Sequence, residues 1–108
     1  MDELERKMFI DENMTIEDAM RVIDQGRSKT AFLVSNGVLK GSLTDGDIRR
    51  HLLKKGSLTE SVCEIVNYCP KFFKENSNIS YQNYMIENDL TAIPIVDEKM
   101  KIIRIERL

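Results

Sequence analysis

The sequence is poor in the residues that mark secreted or membrane proteins. It has only two cysteines, Cys63 and Cys69, in 108 residues, which is too few for a disulfide framework. No apolar run approaches the roughly 20 residues that a membrane-spanning helix requires. The first residues, MDELERK, are charged and lack the apolar core of a secretory signal. These absences predict a reduced, cytoplasmic protein with no membrane partner.

An excess of positive charge is also absent. The chain has 16 Lys and Arg against 18 Asp and Glu, a formal net charge of -2. Because this balance gives no broad positive field to hold a phosphate backbone, nucleic acid is not an expected partner. The hydrophobic content of 42% is that of an ordinary folded domain. The length suits one compact domain, or two very small ones that share a core.

Groups that carry out catalysis are scarce as well. The single histidine, His51, has no Cys or Ser partner at a recognisable spacing, and the chain has no glycine-rich phosphate loop. We therefore predict no catalytic residue and no enzymatic activity. Asp45 and Asp47 form an Asp-x-Asp pair that could suggest a divalent cation. The further oxygen ligands of a calcium loop do not follow, so no metal site is predicted.

The first strong structural pattern is a capped helix in MTIEDAMRVIDQG. Thr15 can cap this helix, with Asp18 three positions later as the acid of a capping box. Gly26 is predicted to end the helix in the left-handed conformation. Two apolar runs then flank Asn36-Gly37, residues that tolerate the positive φ of a tight turn. This segment therefore predicts a β-hairpin.

A second capped helix is predicted after the hairpin, from about Asp45 to Lys55. Thr44 is its cap, and Asp47 follows three positions later. Residues 58–66 predict a short linking helix, which ends before Pro70 because a proline restricts its predecessor.

After this proline the order of strand, helix and hairpin starts again. Phe72-Phe73 predicts a strand that matches residues 8–10, residues 79–89 predict a helix, and AIPIVD and KIIRI predict two further strands. An offset of 62 to 63 residues places Ile16 over Ile79, Ile23 over Ile86, Val34 over Val96 and Leu39 over Ile102. This internal repeat predicts an α/β fold with two small mixed sheets flanked by helices, since one unit cannot bury its apolar face alone.

The repeated unit resembles the CBS motif, which occurs in tandem pairs called Bateman modules. The family's hallmark is a Gly, two apolar or small residues, Thr or Ser, two variable residues, Asp and an apolar residue, and GSLTDGDI at residues 41–48 matches it. The second copy matches the family's apolar-Pro-apolar strand at Ile93-Pro94-Ile95. The resemblance implies one module over residues 1–108, with motif 1 at 8–56, a linking helix at 57–69 and motif 2 at 70–108.

Two features depart from the family's pattern. Gln82 and Asn83 replace the apolar residues expected on the inner face of the second copy's helix. The sequence also ends at Leu108, where a second Thr-x-x-Asp is expected, so we expect the second copy and its site to be incomplete, or the chain to be a fragment. GSLTDGDIRR resembles in particular CBS pairs joined to sugar-nucleotidyltransferase domains, which implies a fused catalytic domain as a partner.

Thr44 and Asp47 have the clearest ligand chemistry in the sequence. A Thr at a helix cap lies beside unpaired backbone N–H groups, where the helix dipole favours an anion. An Asp one turn later can accept hydrogen bonds from both hydroxyls of a ribose. The same pair is also an ordinary helix cap, worth about 1 kcal/mol without any ligand. Arg49 and Arg50 either contact a phosphate or simply place cations near a helix C-terminus.

The resemblance implies an adenine nucleotide as a regulatory ligand, with the Thr serving its phosphate and the Asp its ribose. The implied residues of the first site are Thr44, Asp47, Asp45 and Arg49, with Ile10, Asp11, Thr30 and Ala31 near the base. Their counterparts at the second site are Phe72, Thr91 and Ala92. We expect AMP, ADP, ATP or S-adenosylmethionine as the ligand, no required cofactor, and control of an attached or associated enzyme. The alternative is a ligand-free module that assembles homodimers.

Overall fold

The computed structural model of the protein describes residues 3–26 and 28–108. Within these residues four helices and six strands follow one another, with one short turn of 3-10 helix at Val62–Glu64. The elements are α1 (Glu3–Arg6), β1 (Phe9–Ile10), α2 (Ile16–Gly26), β2 (Thr30–Ser35), β3 (Val38–Thr44), α3 (Asp45–Leu53), β4 (Phe73–Lys74), α4 (Tyr81–Glu87), β5 (Ala92–Val96) and β6 (Ile102–Arg107).

The strands form two three-stranded sheets of the same topology. In the first sheet β2 pairs in parallel with β1 and antiparallel with β3. In the second, β5 pairs in the same way with β4 and β6. Each hairpin even has a register shift at the same point, between Leu33 and Val34 and between Ile95 and Val96. The predicted α/β fold with two small mixed sheets is confirmed.

The two central strands, β2 and β5, are buried on both faces, so they read as continuous apolar runs rather than alternating ones. Successive side chains of a strand point to opposite faces. Ala31 and Leu33 therefore lie in a core beneath α2 and α3, whereas Phe32 faces the second half of the molecule. The core between the halves consists of Met8, Phe32, Leu39, Ala92, Val96, Ile102 and Ile105.

The tips of the two hairpins are joined by backbone hydrogen bonds. The N–H of Leu39 donates to the carbonyl of Met100 at 2.9 Å, and the N–H of Ile102 donates to the carbonyl of Gly37 at 3.0 Å. Asn36 and Gly37 both have positive φ, 53° and 79°, as the predicted two-residue turn requires. This junction links the two sheets at one end of β3.

The cap at the start of α2 forms as predicted, but the helix does not end in the predicted left-handed conformation. The N–H of Asp18 donates to the Thr15 hydroxyl at 3.1 Å, and the N–H of Thr15 donates to the Asp18 carboxylate at 3.0 Å. Hydrogen bonds to the Asp18 carboxylate from the backbone N–H and the hydroxyl of Thr15 hold the pKa of Asp18 below its usual range. Gly26 is the last residue of the helix and its φ is not positive, so the predicted left-handed end was wrong. Gly26 is instead buried beside Met8.

The predicted linking helix was also wrong, because only Val62–Glu64 is helical, as one 3-10 turn. The backbone of this linker is engaged elsewhere. The carbonyls of Leu58 and Glu60 accept hydrogen bonds from the first N–H groups of α2, at 3.0 and 2.9 Å. Asn67 exchanges two backbone hydrogen bonds of 2.9 Å with Ser42 of β3. A continuous helix could not make these bonds, since its carbonyls would be used internally.

The repeat alignment was right for the strands and wrong for the helices. Val34 pairs with Leu39 in the first hairpin exactly as Val96 pairs with Ile102 in the second. Ile79 and Ile86, however, are 42% and 65% exposed, whereas Ile16 and Ile23 are buried. The alignment of Ile79 with Ile16 and of Ile86 with Ile23 therefore does not match residues that pack in equivalent ways.

Aromatic residues form the inner face of α4. The cap of this helix is Ser80, whose hydroxyl accepts the Asn83 N–H at 3.3 Å. Tyr81 and Tyr84 pack on Phe73 with ring centroids 5.7 and 4.7 Å apart, and Met85 is fully buried. Gln82 and Asn83 are exposed, so they do not occupy the inner face, contrary to the expectation.

Candidate functional site

The candidate site begins where β3 passes into α3. Thr44 is the last residue of β3 and the cap of the helix. Its hydroxyl accepts the N–H of Asp47 at 3.1 Å, and the Asp47 carboxylate accepts the N–H of Thr44 at 3.0 Å. The N–H of Asp45 donates to the carbonyl of Lys29 at 3.0 Å, which anchors the start of the helix beside β2. The predicted capping box is confirmed.

The second oxygen of the Asp47 carboxylate is held by Arg50, one turn further along α3. The Nη2 of Arg50 donates to Oδ1 of Asp47 at 2.7 Å. The Asp47 side chain is 27% exposed and the Arg50 side chain is 62% exposed. Asp47 therefore does not point freely into bulk solvent, and its carboxylate already carries hydrogen bonds on both oxygens.

Thr44 lies where two adjoining clefts meet, and both clefts are lined by residues of the two halves. The first has a volume of about 260 Å³ and the second of about 350 Å³. The first is lined by Thr30, Phe32, Ser42, Thr44, Asp47, Arg50, Asn67, Lys71, Leu90 and Ala92. The second is lined by Lys29, Thr30, Thr44, Asp45, Gly46, Arg49, Arg50, Asp89 and Thr91. We call the two together the interdomain cleft.

The interdomain cleft carries charges of both signs. Four cationic side chains, those of Lys29, Arg49, Arg50 and Lys71, face the carboxylates of Asp45, Asp47 and Asp89. Lys71 also donates to the amide oxygen of Asn88 at 3.3 Å. The cations are thus in slight excess around the positive end of α3, which favours an anionic ligand.

The structure brings most of the predicted site residues into this one cleft. Thr30, Thr44 and Asp47 line its first part, and Asp45 and Arg49 line its second part. The cleft also contains two residues that the sequence reasoning assigned to a separate second site, Thr91 and Ala92. The two sets therefore lie on opposite walls of a single cleft.

Four predicted residues are not part of its lining. Ile10 and Ala31 are buried in the core beneath α2 and α3, because they lie on the strand faces that point away from the second half. Asp11 is exposed and accepts the N–H of Asn13 at 2.8 Å. Phe72 packs against the core between the halves. Their predicted places beside a base therefore stay predictions, which the cleft lining does not support.

The strand registers give the equivalence of the two halves at the cleft. Thr30 pairs with Thr44 in the first sheet, and Ala92 pairs with Arg107 in the second. Ala92 therefore corresponds to Thr30, in agreement with the offset that places Val34 over Val96. Arg107 stands where the first half has its capping Thr44.

Sequence reasoning missed eight other residues of the cleft lining, namely Lys29, Phe32, Ser42, Gly46, Asn67, Lys71, Asp89 and Leu90. Phe32 and Ser42 lie two positions from Thr30 and Thr44 on the same faces of their strands, so strand periodicity could have identified them. Asn67, Lys71 and Leu90 reach the cleft only through the course of the linker and the end of α4. The sequence contains no local signal for that arrangement.

The chain contains a second copy of the same three side chains in a different setting. Thr15, Asp18 and Arg21 repeat the spacing of the site residues, with Arg21 3.7 Å from Asp18. Here the linker covers the start of the helix, and the carbonyls of Glu60 and Leu58 accept the N–H groups of Ile16 and Glu17. The constellation alone is thus a helix cap, and the open cleft distinguishes the α3 copy.

The described part of the chain shows no group of three or more His, Cys, Asp and Glu side chains arranged for a metal ion. Its helices are also too short or too polar to cross a bilayer.

The two matching sheets, with a cleft between the halves at a capped helix, have the fold of solved CBS domain pairs. Residues 3–54 match the family model of the CBS domain. Among solved structures, a CBS domain protein of Pyrobaculum aerophilum complexed with AMP has a TM-score of 0.76 at 14% identity, over 92% of this chain and 78% of that one.

Two further solved structures share this fold over 92% of the chain. The CBS domain pair of protein MJ0100, in complex with 5-methylthioadenosine and S-adenosyl-L-methionine, has a TM-score of 0.74 at 19% identity, with 79% of that chain covered. The cytosolic domain of the Mg²⁺ channel MgtE in complex with ATP has a TM-score of 0.70 at 24% identity, with 41% of that chain covered.

The curated relatives of the chain include arabinose 5-phosphate isomerases. The chain is 31% identical over 90 residues to arabinose 5-phosphate isomerase GutQ of Escherichia coli, and 27% identical over 89 residues to a probable arabinose 5-phosphate isomerase of Haemophilus influenzae. These matches cover 82% and 80% of this chain but only 28% and 26% of the relatives. They give no support to the narrower expectation of a nucleotidyltransferase partner.

Proposed function

We propose that this protein is a regulatory module that binds an adenine nucleotide in the interdomain cleft. The observation that carries this proposal is the position of Thr44 and Asp47, which lie at the start of α3 in a cleft with walls from both halves. A ligand there contacts both halves at once. It can therefore shift the arrangement of the halves by its difference in affinity for two arrangements.

Each part of a nucleotide has a suitable partner in the cleft. The hydroxyl of Thr44 and the cations Lys29 and Arg49 suit a phosphate, whose negative charge the start of α3 also favours. Carboxylates accept strongly from hydroxyls, so Asp47 suits the ribose. The apolar surface of Phe32 and Leu90 suits a base.

The structural relatives support the same class of ligand. AMP, ATP and S-adenosyl-L-methionine, the ligands bound in three structures of this fold, all contain adenosine. Identity to those chains is 14% to 24%, so the choice among such ligands rests on the side chains of this cleft.

Calorimetric titration of the protein with AMP, ADP, ATP and S-adenosylmethionine tests the proposal. We expect saturable heat at one site for at least one ligand, together with a rise in the melting temperature, because a ligand that binds only the folded state stabilises it. Absence of both heat and stabilisation with all four ligands at millimolar concentration would contradict the proposal.

We further propose that the regulated activity belongs to a catalytic domain to which this module is attached or bound, and that the module itself is not catalytic. The curated relatives point to a sugar-phosphate isomerase as that enzyme. The nucleotidyltransferase suggested by GSLTDGDIRR is the less supported choice. A reduced, cytoplasmic setting suits the two free cysteines, of which Cys69 is exposed.

A second function, self-assembly, is favoured by an apolar groove between α2 and α3. The groove has a volume of about 260 Å³ and is lined by Met20, Ile23, Asp24, Asp45 and Ile48. Met20 is partly exposed at its edge, and Leu53, at the end of α3, is 77% exposed. Such a surface gains stability when a second copy covers it. We therefore propose a homodimer formed through these helices.

Met20→Glu is expected to weaken this dimer at least tenfold, because a carboxylate buried in the interface loses its hydration. Sedimentation equilibrium over a range of concentrations measures the change. Ile86→Glu is the matched control, since Ile86 is exposed on α4, away from the groove. A monomeric wild type at high concentration, or equal weakening by both variants, would contradict the proposed interface.

A further inference from the structure

The ion pair between Asp47 and Arg50 occupies an oxygen that a ribose would need. Oδ1 of Asp47 receives the Arg50 guanidinium at 2.7 Å, and Oδ2 receives the backbone of Thr44 at 3.0 Å. The hydrogen bond to Oδ2 belongs to the helix cap and is kept as long as α3 is intact. A ribose hydroxyl therefore competes mainly with Arg50.

Arg50 is well placed to give up this carboxylate. Its side chain is 62% exposed, and exposed ion pairs contribute only about 0–1 kcal/mol. Arg50 also lines both parts of the interdomain cleft, so it lies between the part that contains Asp47 and the part that contains Lys29 and Arg49. A guanidinium binds a phosphate through two parallel hydrogen bonds, which makes phosphate a stronger partner than an exposed carboxylate.

We infer that Arg50 exchanges partners when a ligand binds. Its guanidinium releases the Asp47 carboxylate and binds the phosphate, so the carboxylate becomes available to the ribose. This inference rests on the proposed function and specifies the ligand as a phosphorylated nucleoside. A nucleoside without phosphate gives Arg50 no new partner, so it has to compete with the ion pair. Arg50 is therefore a specificity-determining residue that favours AMP over adenosine.

The test compares AMP and adenosine in titrations of the wild type and Arg50→Gln. We expect the variant to lose about tenfold in affinity for AMP, since a charge-assisted hydrogen bond to phosphate is lost. Its affinity for adenosine is expected to stay the same or rise by about threefold, because Asp47 no longer has a competing partner. Arg50→Lys keeps the charge without the bidentate geometry. Its affinity for AMP is therefore expected to lie between those of the wild type and Arg50→Gln.

Arg21→Gln is the matched control. It removes the same charge from the copy of this constellation on α2, where Arg21 contacts Asp18 and Glu17, and it leaves the affinity for both ligands unchanged. Equal losses of AMP and adenosine affinity in Arg50→Gln, or no change in either, would overturn the inference while leaving the proposed function intact. A wild type that binds neither AMP nor adenosine overturns this inference, and it overturns the proposed function only when ADP, ATP and S-adenosylmethionine also fail to bind.

Discussion

Asp47→Ala is expected to weaken AMP binding by about 10- to 100-fold. Hydrogen bonds to a charged group contribute about 1.5–3 kcal/mol each, and 1.4 kcal/mol corresponds to a tenfold change in affinity. Asp47 is the only carboxylate of the cleft lining that the structure shows fixed by the capping box of α3, so no neighbour replaces it in the same position. Calorimetric titration, carried out well below the melting temperature, measures the loss.

The control for this experiment is built into the chain. Asp47→Ala also removes the carboxylate that completes the capping box of α3, which costs up to about 1 kcal/mol of stability regardless of any ligand. Asp18→Ala removes the equivalent carboxylate from the capping box of α2, where the Thr15 pairing is the same but the linker covers the helix start. We expect similar losses of stability in the two variants and a loss of binding only at Asp47. Equal loss of AMP affinity in both would mean that the effect comes from destabilisation.

Gly41→Ala is expected to destabilise the protein by about 1–3 kcal/mol, the usual cost of forcing extra atoms into a packed region. A Cβ on Gly41 would overlap the Val66 side chain and lie 2.8 Å from the carbonyl oxygen of Asn67. That carbonyl accepts the N–H of Ser42 at 2.9 Å, so the new methyl group pushes apart a backbone pairing. For a domain of this size the melting temperature should fall by about 4–8 °C per kcal/mol.

Gly46→Ala provides the contrasting variant for thermal unfolding. A Cβ on Gly46 would meet only the ends of the Arg49 and Arg50 side chains, at 3.3 to 3.6 Å, and these flexible groups can move. Because alanine is favoured over glycine within a helix by about 1 kcal/mol, this variant should melt at a higher temperature. If Gly41→Ala melts like the wild type, the close approach of the linker to β3 is not a constraint on residue 41.

The features that could be predicted from the sequence are those set by neighbouring residues. The turn at Asn36-Gly37 follows from two residues that accept positive φ. The caps at Thr15 and Thr44 follow from the hydroxyl and acid spacing of a capping box. These signals located the hairpin, both helix starts, and Thr44 and Asp47 of the candidate site.

The failures came where distant parts of the chain decide the local structure. Residues 58–66 have an apolar pattern typical of a helix, yet their carbonyls accept hydrogen bonds from the start of α2. The inner face of α4 is formed by tyrosines that pack on Phe73, which lies on a different element. Thr91 and Ala92 reach the same cleft as Thr44 because the second sheet packs against the first. None of these contacts has a signature in the residues themselves.

The backbone link between the two hairpin tips lies far from the interdomain cleft, so any rotation of the halves about this link would act on the cleft through a long arm. It joins residues 37–39 to residues 100–102, at the end of β3 opposite Thr44. A strand of that length measures about 20 Å at 3.3 Å per residue, so a rotation of about 5° at the tips shifts the far wall by about 2 Å. A change of about 2 Å in the width of the cleft thus corresponds to a small rotation of one half. A domain attached to either half would be tilted by that rotation.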